Sequence, residues 1–208
     1  VDITEDVLTI TPDANYNGNI LVTVSVSDGS LTGQISFTVT VNPINDAPSI
    51  DLLADESINE DESLTVELSG LDIDGDDLTF SASVDGNGSV SVDGTTLTLT
   101  PDENYNGVIA VSVQVSDGSL TDQTGFTLTV DPVNDAPSID SLADESINED
   151  GSLTVELSGS DIDGDFLTYS ASGDGNASVD ITEDVLTITP DANYNGLIFV
   201  TVSVSDGS

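Results

Sequence analysis

The chain of 208 residues contains no Lys, Arg, His, Cys, Met or Trp, and its 40 Asp and Glu residues give it a formal net charge of −40. Because phosphate groups are bound by cationic side chains, this composition excludes nucleic-acid binding and attraction to anionic membranes. Without Cys, His and Lys there is no thiol, imidazole or amine nucleophile, no disulfide and no amine–amide crosslink. The remaining ligand atoms are the oxygens of carboxylates, hydroxyls and amides, which hard cations such as Ca²⁺ prefer.

Long apolar runs are absent as well. No stretch reaches the roughly 18 apolar residues of a membrane-spanning helix, so no membrane insertion is expected. The chain has no secretory signal peptide and opens in mid-pattern at Val1, which we interpret as the start of a fragment of a longer protein. Hydrophobic residues make up 37% of the chain, and together with 18 Gly and abundant Thr and Ser they favour β-structure over helix.

The sequence is organised as a tandem repeat. Pro12, Pro101 and Pro190 each precede Asp-x-Asn-Tyr-Asn-Gly at steps of 89 residues, and the other motifs recur at the same step. The Asn-Asp-Ala-Pro segments that end in Pro48 and Pro137 are natural linkers, because Pro interrupts strand pairing and holds the preceding residue extended. We therefore predict part of a repeat over residues 1–47, a complete repeat over 48–136, and a third repeat over 137–208 that lacks its last strand.

Within the middle repeat, apolar and polar residues alternate with the period of a β-strand. Examples are Leu64, Val66 and Leu68, and the run from Ile109 to Val115. About seven such strands, separated by Gly, Asp and Asn turns, predict an all-β fold, a tandem array of immunoglobulin-like Greek-key β-sandwiches. Tyr105 stands just before the longest strand, where such a sandwich places a tyrosine whose hydroxyl bonds to the corner backbone.

The acidic residues fall into clusters. A single Asp in a turn needs no special explanation, because Asp tolerates turn geometry and accepts hydrogen bonds from nearby backbone. Asp72, Asp74 and Asp76, however, occupy alternate positions of one segment, and the chain has no Lys or Arg to offset their repulsion. Only a cation from solution can do so, and Ca²⁺ binds this combination of carboxylate, amide and carbonyl oxygens.

The ordered motifs Asn-Glu-Asp, Asp-x-Asp-Gly-Asp, Pro-Asp-x-Asn-Tyr, Ser-Asp-Gly and Asn-Asp-Ala-Pro resemble the cadherin-like tandem repeats of large bacterial surface proteins and adhesins. That resemblance covers the whole chain and implies Ca²⁺ at each junction between repeats. Carried over by matching motif, the ligands of one junction would be Glu60, Asp102, Asp131, Asn134, Asp135, Asp161, Asp163 and Asp206. Those of the preceding junction would be Asp13, Asn42, Asn45, Asp46, Asp72, Asp74 and Asp117.

The function expected from this reading is structural and non-enzymatic. The chain would be an extracellular stalk or filament segment of a bacterial surface adhesin, made rigid by Ca²⁺, with neighbouring repeats as its partners. Strands from adjoining copies could also complete its partial repeats and build a fibre. A solvated acidic surface in a saline medium is a second explanation for the excess of carboxylates.

Two other functions are open to the sequence. A carbohydrate-binding or other cell-surface ligand-binding module would need exposed aromatic residues, and the chain has only five Phe and four Tyr. Catalysis by paired carboxylates, as in glycoside hydrolysis, would need two acids held about 5 to 9.5 Å apart across a cleft. A chain this acidic contains many such pairs. Their presence therefore does not indicate an enzyme.

Overall fold

The structure, a computed structural model, describes all residues from 1 to 208. Its secondary structure consists of twenty β-strands and no helix, which confirms the all-β prediction. No helix is present that could cross a membrane. The chain divides into two compact units, Val1–Val130 and Asp131–Ser208, and each is described by itself.

The first unit begins with two antiparallel hairpins. Strand β1 (Asp2–Thr4) pairs with β2 (Val7–Thr9), and β3 (Gly18–Ser27) pairs with β4 (Thr32–Val41). The second hairpin is regular over ten residue pairs, from Gly18↔Val41 to Ser27↔Thr32. Many of its apolar side chains are exposed, including Leu21 and Ile35.

The rest of the first unit is a two-layered β-sandwich. One sheet has the strand order β10-β11-β7 and the other β6-β13-β12-β9, while β5 and β8 form a short ribbon. Seven strands in two antiparallel sheets agree with the predicted number. The bounds of these seven strands and of the two ribbon strands are β5 Ser49–Ile50, β6 Glu56–Asn59, β7 Leu64–Glu67, β8 Gly70–Leu71, β9 Thr79–Val84, β10 Gly88–Asp93, β11 Thr96–Pro101, β12 Gly107–Ser116 and β13 Thr121–Asp131.

The core of this sandwich lies between the two sheets. Leu97 and Leu99 of β11 face Ile109 of β12 and Leu128 of β13, and all four side chains are fully buried. Successive residues of a strand point to opposite faces, so the alternation in the sequence directs every second side chain inward. Burying a Leu or Ile in this way stabilises the fold by about 1.5 to 3 kcal/mol.

The second unit repeats much of this arrangement. The sheet β15-β19-β18 has the order of β7-β11-β10, and it is accompanied by the pairs β17-β20 and β14-β16. Leu157 and Leu186 are buried. Within residues 131–208 no strand takes the place of β13, and β20 is paired only with β17. The bounds are β14 Ser138–Ile139, β15 Leu153–Glu156, β16 Gly159–Ser160, β17 Thr168–Gly173, β18 Ala177–Thr182, β19 Val185–Pro190 and β20 Val200–Ser205.

The tyrosine of each repeat lies at a corner, as predicted. The Tyr105 hydroxyl donates a hydrogen bond to the Val108 carbonyl at 3.0 Å. Tyr16 and Tyr194 donate in the same way to Asn19 at 3.1 Å and Leu197 at 2.9 Å. These bonds satisfy the polar ends of rings that pack on the turn, so the three residues have structural roles.

Candidate cation site

The acidic segment of residues 72–76, which has the pattern Asp-x-Asp-Gly-Asp, forms a loop between β8 and β9. Gly75, at its fourth position, has φ of 82°, in the left-handed region that favours glycine. Gly164 occupies the same place in the second unit with φ of 80°. The Asp-x-Asp-Gly-Asp pattern is therefore a loop whose tight bend requires its glycine.

One oxygen of Asp72 holds this loop together. Asp72 Oδ1 accepts hydrogen bonds from the backbone N–H of Asp74 at 2.8 Å and of Asp76 at 3.2 Å. The residue is only 7% exposed, and its other oxygen, Oδ2, is buried with no hydrogen-bond partner. A buried polar atom without a partner costs about 1 to 3 kcal/mol, and more when the group is charged. A cation bound at Oδ2 would remove that cost.

The second unit contains the same loop between β16 and β17. Asp161 Oδ1 accepts from the N–H groups of Asp163 at 3.0 Å and Asp165 at 3.2 Å, and Asp161 Oδ2 is again buried without a partner. Carboxylate oxygens of these three residues lie within 4.8 Å of one another. At such a separation like charges repel strongly unless a cation lies between them.

The linker is hydrogen-bonded to this loop in each unit. The backbone N–H of Asp46 donates to Asp74 Oδ2 at 2.7 Å, and that of Asp135 donates to Asp163 Oδ2 at 2.7 Å. The Asn-Asp-Ala-Pro segment is thus bonded to the acidic loop of the repeat that it precedes, and in the second unit the Asp135 and Asp163 carboxylates lie within 4.8 Å of each other.

The Asn of the linker binds the turn that carries the Ser-Asp-Gly motif. Asn45 Nδ2 donates to Asp117 Oδ2 at 2.8 Å. The N–H of Leu120, then the Asn45 amide and the N–H of Ser119, hold the pKa of Asp117 below its ordinary value. In the second unit Asn134 Nδ2 donates to Asp206 Oδ2 at 2.7 Å.

The pKa of Asp206 is also lowered, first by the Asn134 amide and then by the Ser208 N–H. Both Asp117 and Asp206 are therefore ionised at neutral pH. They add a further negative charge beside each linker.

The structure thus brings together five of the predicted ligands in the first unit: Asn45, Asp46, Asp72, Asp74 and Asp117. It brings together the matching five in the second: Asn134, Asp135, Asp161, Asp163 and Asp206. Their carboxylate and amide oxygens are those that Ca²⁺ coordinates, in sets of six to eight. The chain offers no nitrogen or sulfur ligand that would favour a transition metal instead.

The remaining predicted ligands are Asp13, Asn42, Glu60, Asp102 and Asp131. Asp13 and Asn42 are exposed, and no hydrogen bond joins them to the five residues of the first unit. Glu60 is buried in the turn after β6, Asp102 is exposed directly after β11, and Asp131 ends β13. Their participation in a cation site stays a prediction.

Asp165 is a residue of the acidic loop that was not predicted as a ligand. Its carboxylate lies with those of Asp161 and Asp163, so it belongs to the cluster. The signal was available, because Asp165 is the third acid of an alternating Asp-x-Asp-Gly-Asp segment.

The fold and the paired acidic loops define a class of protein, a tandem array of immunoglobulin-like sandwiches with an anionic cluster at each linker. The family model for the bacterial Ig domain matches residues 45–130 and 134–208. The chain therefore belongs to the bacterial Ig domain family. Domains of this family are typically non-catalytic and are common in extracellular or surface proteins.

One curated relative is Chitinase A of Pseudoalteromonas piscicida, which is 33% identical over 199 residues. The match covers 92% of this chain and 23% of that protein, so the chain spans about a quarter of its relative's length.

Among solved structures, mouse Protocadherin-24 EC1-3 matches with a TM-score of 0.50 at 14% identity, over 94% of this chain and 76% of that one. An endo-fucoidan hydrolase of glycoside hydrolase family 107 matches 95% of this chain and 33% of its own, with a TM-score of 0.36 and 21% identity. The cadherin-like and immunoglobulin-like character expected from the sequence is confirmed at the level of the fold.

Proposed function

We propose that this chain is a non-catalytic structural segment of a secreted or cell-surface bacterial protein. Ca²⁺ at the acidic loop of a repeat would fasten the preceding Asn-Asp-Ala-Pro linker to that repeat. The observation that carries the proposal is the buried, unpartnered Oδ2 of Asp72, in a loop that already binds the linker, together with its counterpart in Asp161.

The residues in and beside the loop would have different roles in binding the ion. Backbone N–H groups occupy Asp72 Oδ1 and fix the loop, which leaves Oδ2 for the cation. The linker supplies the Asp46 carboxylate, and Asn45 orients Asp117 beside it. A bound Ca²⁺ supplies the positive charge that the side chains of this protein lack. Fixing each linker in this way suits an extended stalk or filament.

Calcium bound only by the folded state stabilises that state by mass action. At a free concentration 100 times the Kd the gain is about 2.7 kcal/mol, or roughly 5 to 11 °C in Tm for a protein of this size. We expect Ca²⁺ to raise the Tm of the full chain in calorimetry, and EDTA to return it. A chain whose Tm is the same with Ca²⁺ and with EDTA would contradict the proposal.

A matched pair of variants separates binding from charge. Asp72→Asn replaces one oxygen of the buried carboxylate with an NH2 group and removes its charge. We expect it to abolish calcium binding at that loop in isothermal titration. Asp77→Asn removes one charge from an exposed neighbour that makes no hydrogen bond, and we expect calcium binding to be retained. Equal losses from the two variants would indicate a diffuse counterion atmosphere rather than a site.

Neighbouring repeats of the same chain are the partners that a stalk requires, and strand pairing with adjoining copies remains a prediction.

A second candidate function is that of an accessory segment, a spacer or a carbohydrate-binding module, in a polysaccharide-degrading enzyme. It is favoured by the 33% identity to a chitinase over 199 residues. Retention of the full chain on chitin beads would support binding, and free elution would favour the spacer.

A further inference from the structure

Two Asn-x-Ser sequences lie at equivalent turns of the two units. Asn-Gly-Ser at residues 87–89 follows β9, and Asn-Ala-Ser at residues 176–178 follows β17. No other Asn of the chain has Ser or Thr two positions later. Asn-x-Ser is the acceptor pattern for an N-linked oligosaccharide when it lies in a surface turn of an exported protein. Because the pattern is common, the structure of the turn decides whether it can serve as an acceptor.

The middle repeat contains this turn in a sandwich whose two sheets are both present. Asn87 has φ of 58°, in the left-handed region that Asn adopts more readily than most residues. Its backbone belongs to the fold, because the Asn87 carbonyl accepts a hydrogen bond of 2.9 Å from the Asp102 N–H. Two residues earlier, the Asp85 carboxylate accepts the N–H of Ala110. These contacts hold the turn without any contribution from the Asn87 side chain.

The side chains of the acceptor pattern face solvent. Asn87 is exposed, and its amide makes no hydrogen bond within the chain. Ser89, whose hydroxyl the pattern requires, is also exposed and makes no side-chain hydrogen bond. The neighbouring Gly86 is open as well, because nothing lies within 4 Å of the point where a Cβ would stand. An oligosaccharide on Asn87 Nδ2 would therefore extend into solvent without breaking a hydrogen bond of the fold.

We propose that Asn87 is the attachment site of an N-linked oligosaccharide, which the chain receives on export. The donor is an oligosaccharide carried on a polyprenyl diphosphate. The Asn87 amide nitrogen forms a bond to the anomeric carbon of the sugar and gives up one proton. The bond from that carbon to the diphosphate breaks, and its electron pair leaves with the diphosphate. Because only an exported chain meets such a donor, this site rests on the secreted location in the proposed function.

The equivalent turn of the second unit is less open. Asn176 is partly buried, and its backbone N–H donates to Asp174 Oδ1 at 3.2 Å. The pKa of Asp174 is held below its ordinary value first by the Phe199 N–H, then by the backbone N–H and the side-chain amide of Asn176. Since this amide interacts with a carboxylate, we expect Asn176 to be modified less completely than Asn87.

The test is expression of the full chain with an export signal in a bacterium that contains an oligosaccharyltransferase and its polyprenyl-diphosphate donor. A protein that this enzyme is known to modify is expressed in parallel. Intact mass and peptide mapping should find the oligosaccharide on Asn87. Asn87→Gln and Ser89→Ala should each abolish that modification, whereas Ser89→Thr should retain it, because Thr also completes the pattern. An unmodified Asn87 in a host that modifies the parallel protein would overturn the proposal.

Ser91→Ala is the matched control, since Ser91 is exposed in the same strand as Ser89 but lies outside the pattern. It should leave the occupancy of Asn87 unchanged. Equal losses from Ser91→Ala and Ser89→Ala would overturn the assignment. An oligosaccharide that persists in Asn87→Gln at the same occupancy would be bound to another residue and would also contradict it.

The modified chain also tests whether the Asn87 side chain lies on the surface. Because that side chain makes no hydrogen bond within the fold, the oligosaccharide should lower the Tm by no more than about 2 °C. A larger fall would show that the side chain is packed rather than exposed and would overturn the site. None of these variants alters a proposed calcium ligand, so calcium titration of the unmodified chain tests the calcium proposal independently.

Discussion

The hairpins β3-β4 and β12-β13 have closely related sequences and the same ten-residue register, yet their side chains differ in burial. Val115 is fully buried and Phe126 is 5% exposed, whereas their counterparts Val26 and Phe37 are 73% and 42% exposed. Strand pairing and turn geometry therefore follow from local sequence. Burial depends on a second layer, which the sheet β10-β11-β7 supplies to the hairpin β12-β13.

Truncating the phenylalanine should separate the two hairpins most clearly. We expect Phe126→Ala to destabilise the middle sandwich by about 3 to 5 kcal/mol, because it leaves a cavity in a close-packed core. Phe37→Ala should cost much less, since its ring is already partly in water. Denaturant unfolding of the full chain measures both values, and equal losses would show that the hairpin β3-β4 is packed as tightly as β12-β13.

Removing the hydroxyl of a corner tyrosine should also distinguish the two hairpins, with a smaller effect on stability. Tyr105→Phe removes one hydrogen bond of 3.0 Å and should lower the stability of the middle sandwich by about 1 kcal/mol. Tyr16→Phe removes the equivalent bond beside β3 and should leave that unfolding transition unchanged. Thermal unfolding followed by circular dichroism tests this pair of variants. A change of Tm caused by Tyr16→Phe would show that the two hairpins unfold together.

The smallest expected effect concerns the turn of the hairpin β3-β4. The N–H groups of Leu31 and Ser30 hold the pKa of Asp28 below its ordinary value of 3.8. Because the folded-state pKa is the lower one, the contribution of Asp28 is complete above the ordinary value and is lost as the pH falls through the folded one.

An NMR titration of the carboxyl signals should place the midpoint of Asp28 below 3.8. Asp28→Asn keeps an acceptor oxygen but removes the titration, so the turn should then be insensitive to acid. A midpoint at or above the ordinary value would mean that the turn is not formed in solution.

Much of this structure could be predicted from the sequence because the repeat is explicit. The alternation from Ile109 to Val115 fits only a strand that directs every second side chain into the core. Gly75 lies at a bend with a positive φ, which residues with a Cβ adopt less easily. The cluster of Asp72 with Asp74 could be predicted because these acids are close neighbours in one loop. Such features depend on residues that are near one another along the chain.

Other features could not be predicted. The sequence could not show that Asp72 uses one oxygen for its loop and leaves the other buried without a partner. Burial and hydrogen-bond satisfaction depend on the packed structure.

Several carboxylates outside the cation site accept hydrogen bonds from backbone N–H groups. Asp85 accepts from Ala110 at 3.0 Å, and 89 residues later Asp174 accepts from Phe199 at 3.2 Å. The donor residue has changed from a small side chain to a large one, while the bond persists, because every residue except proline carries the same donor. Such contacts are tolerant to mutation at the donor position, so successive repeats can diverge there without losing the interaction.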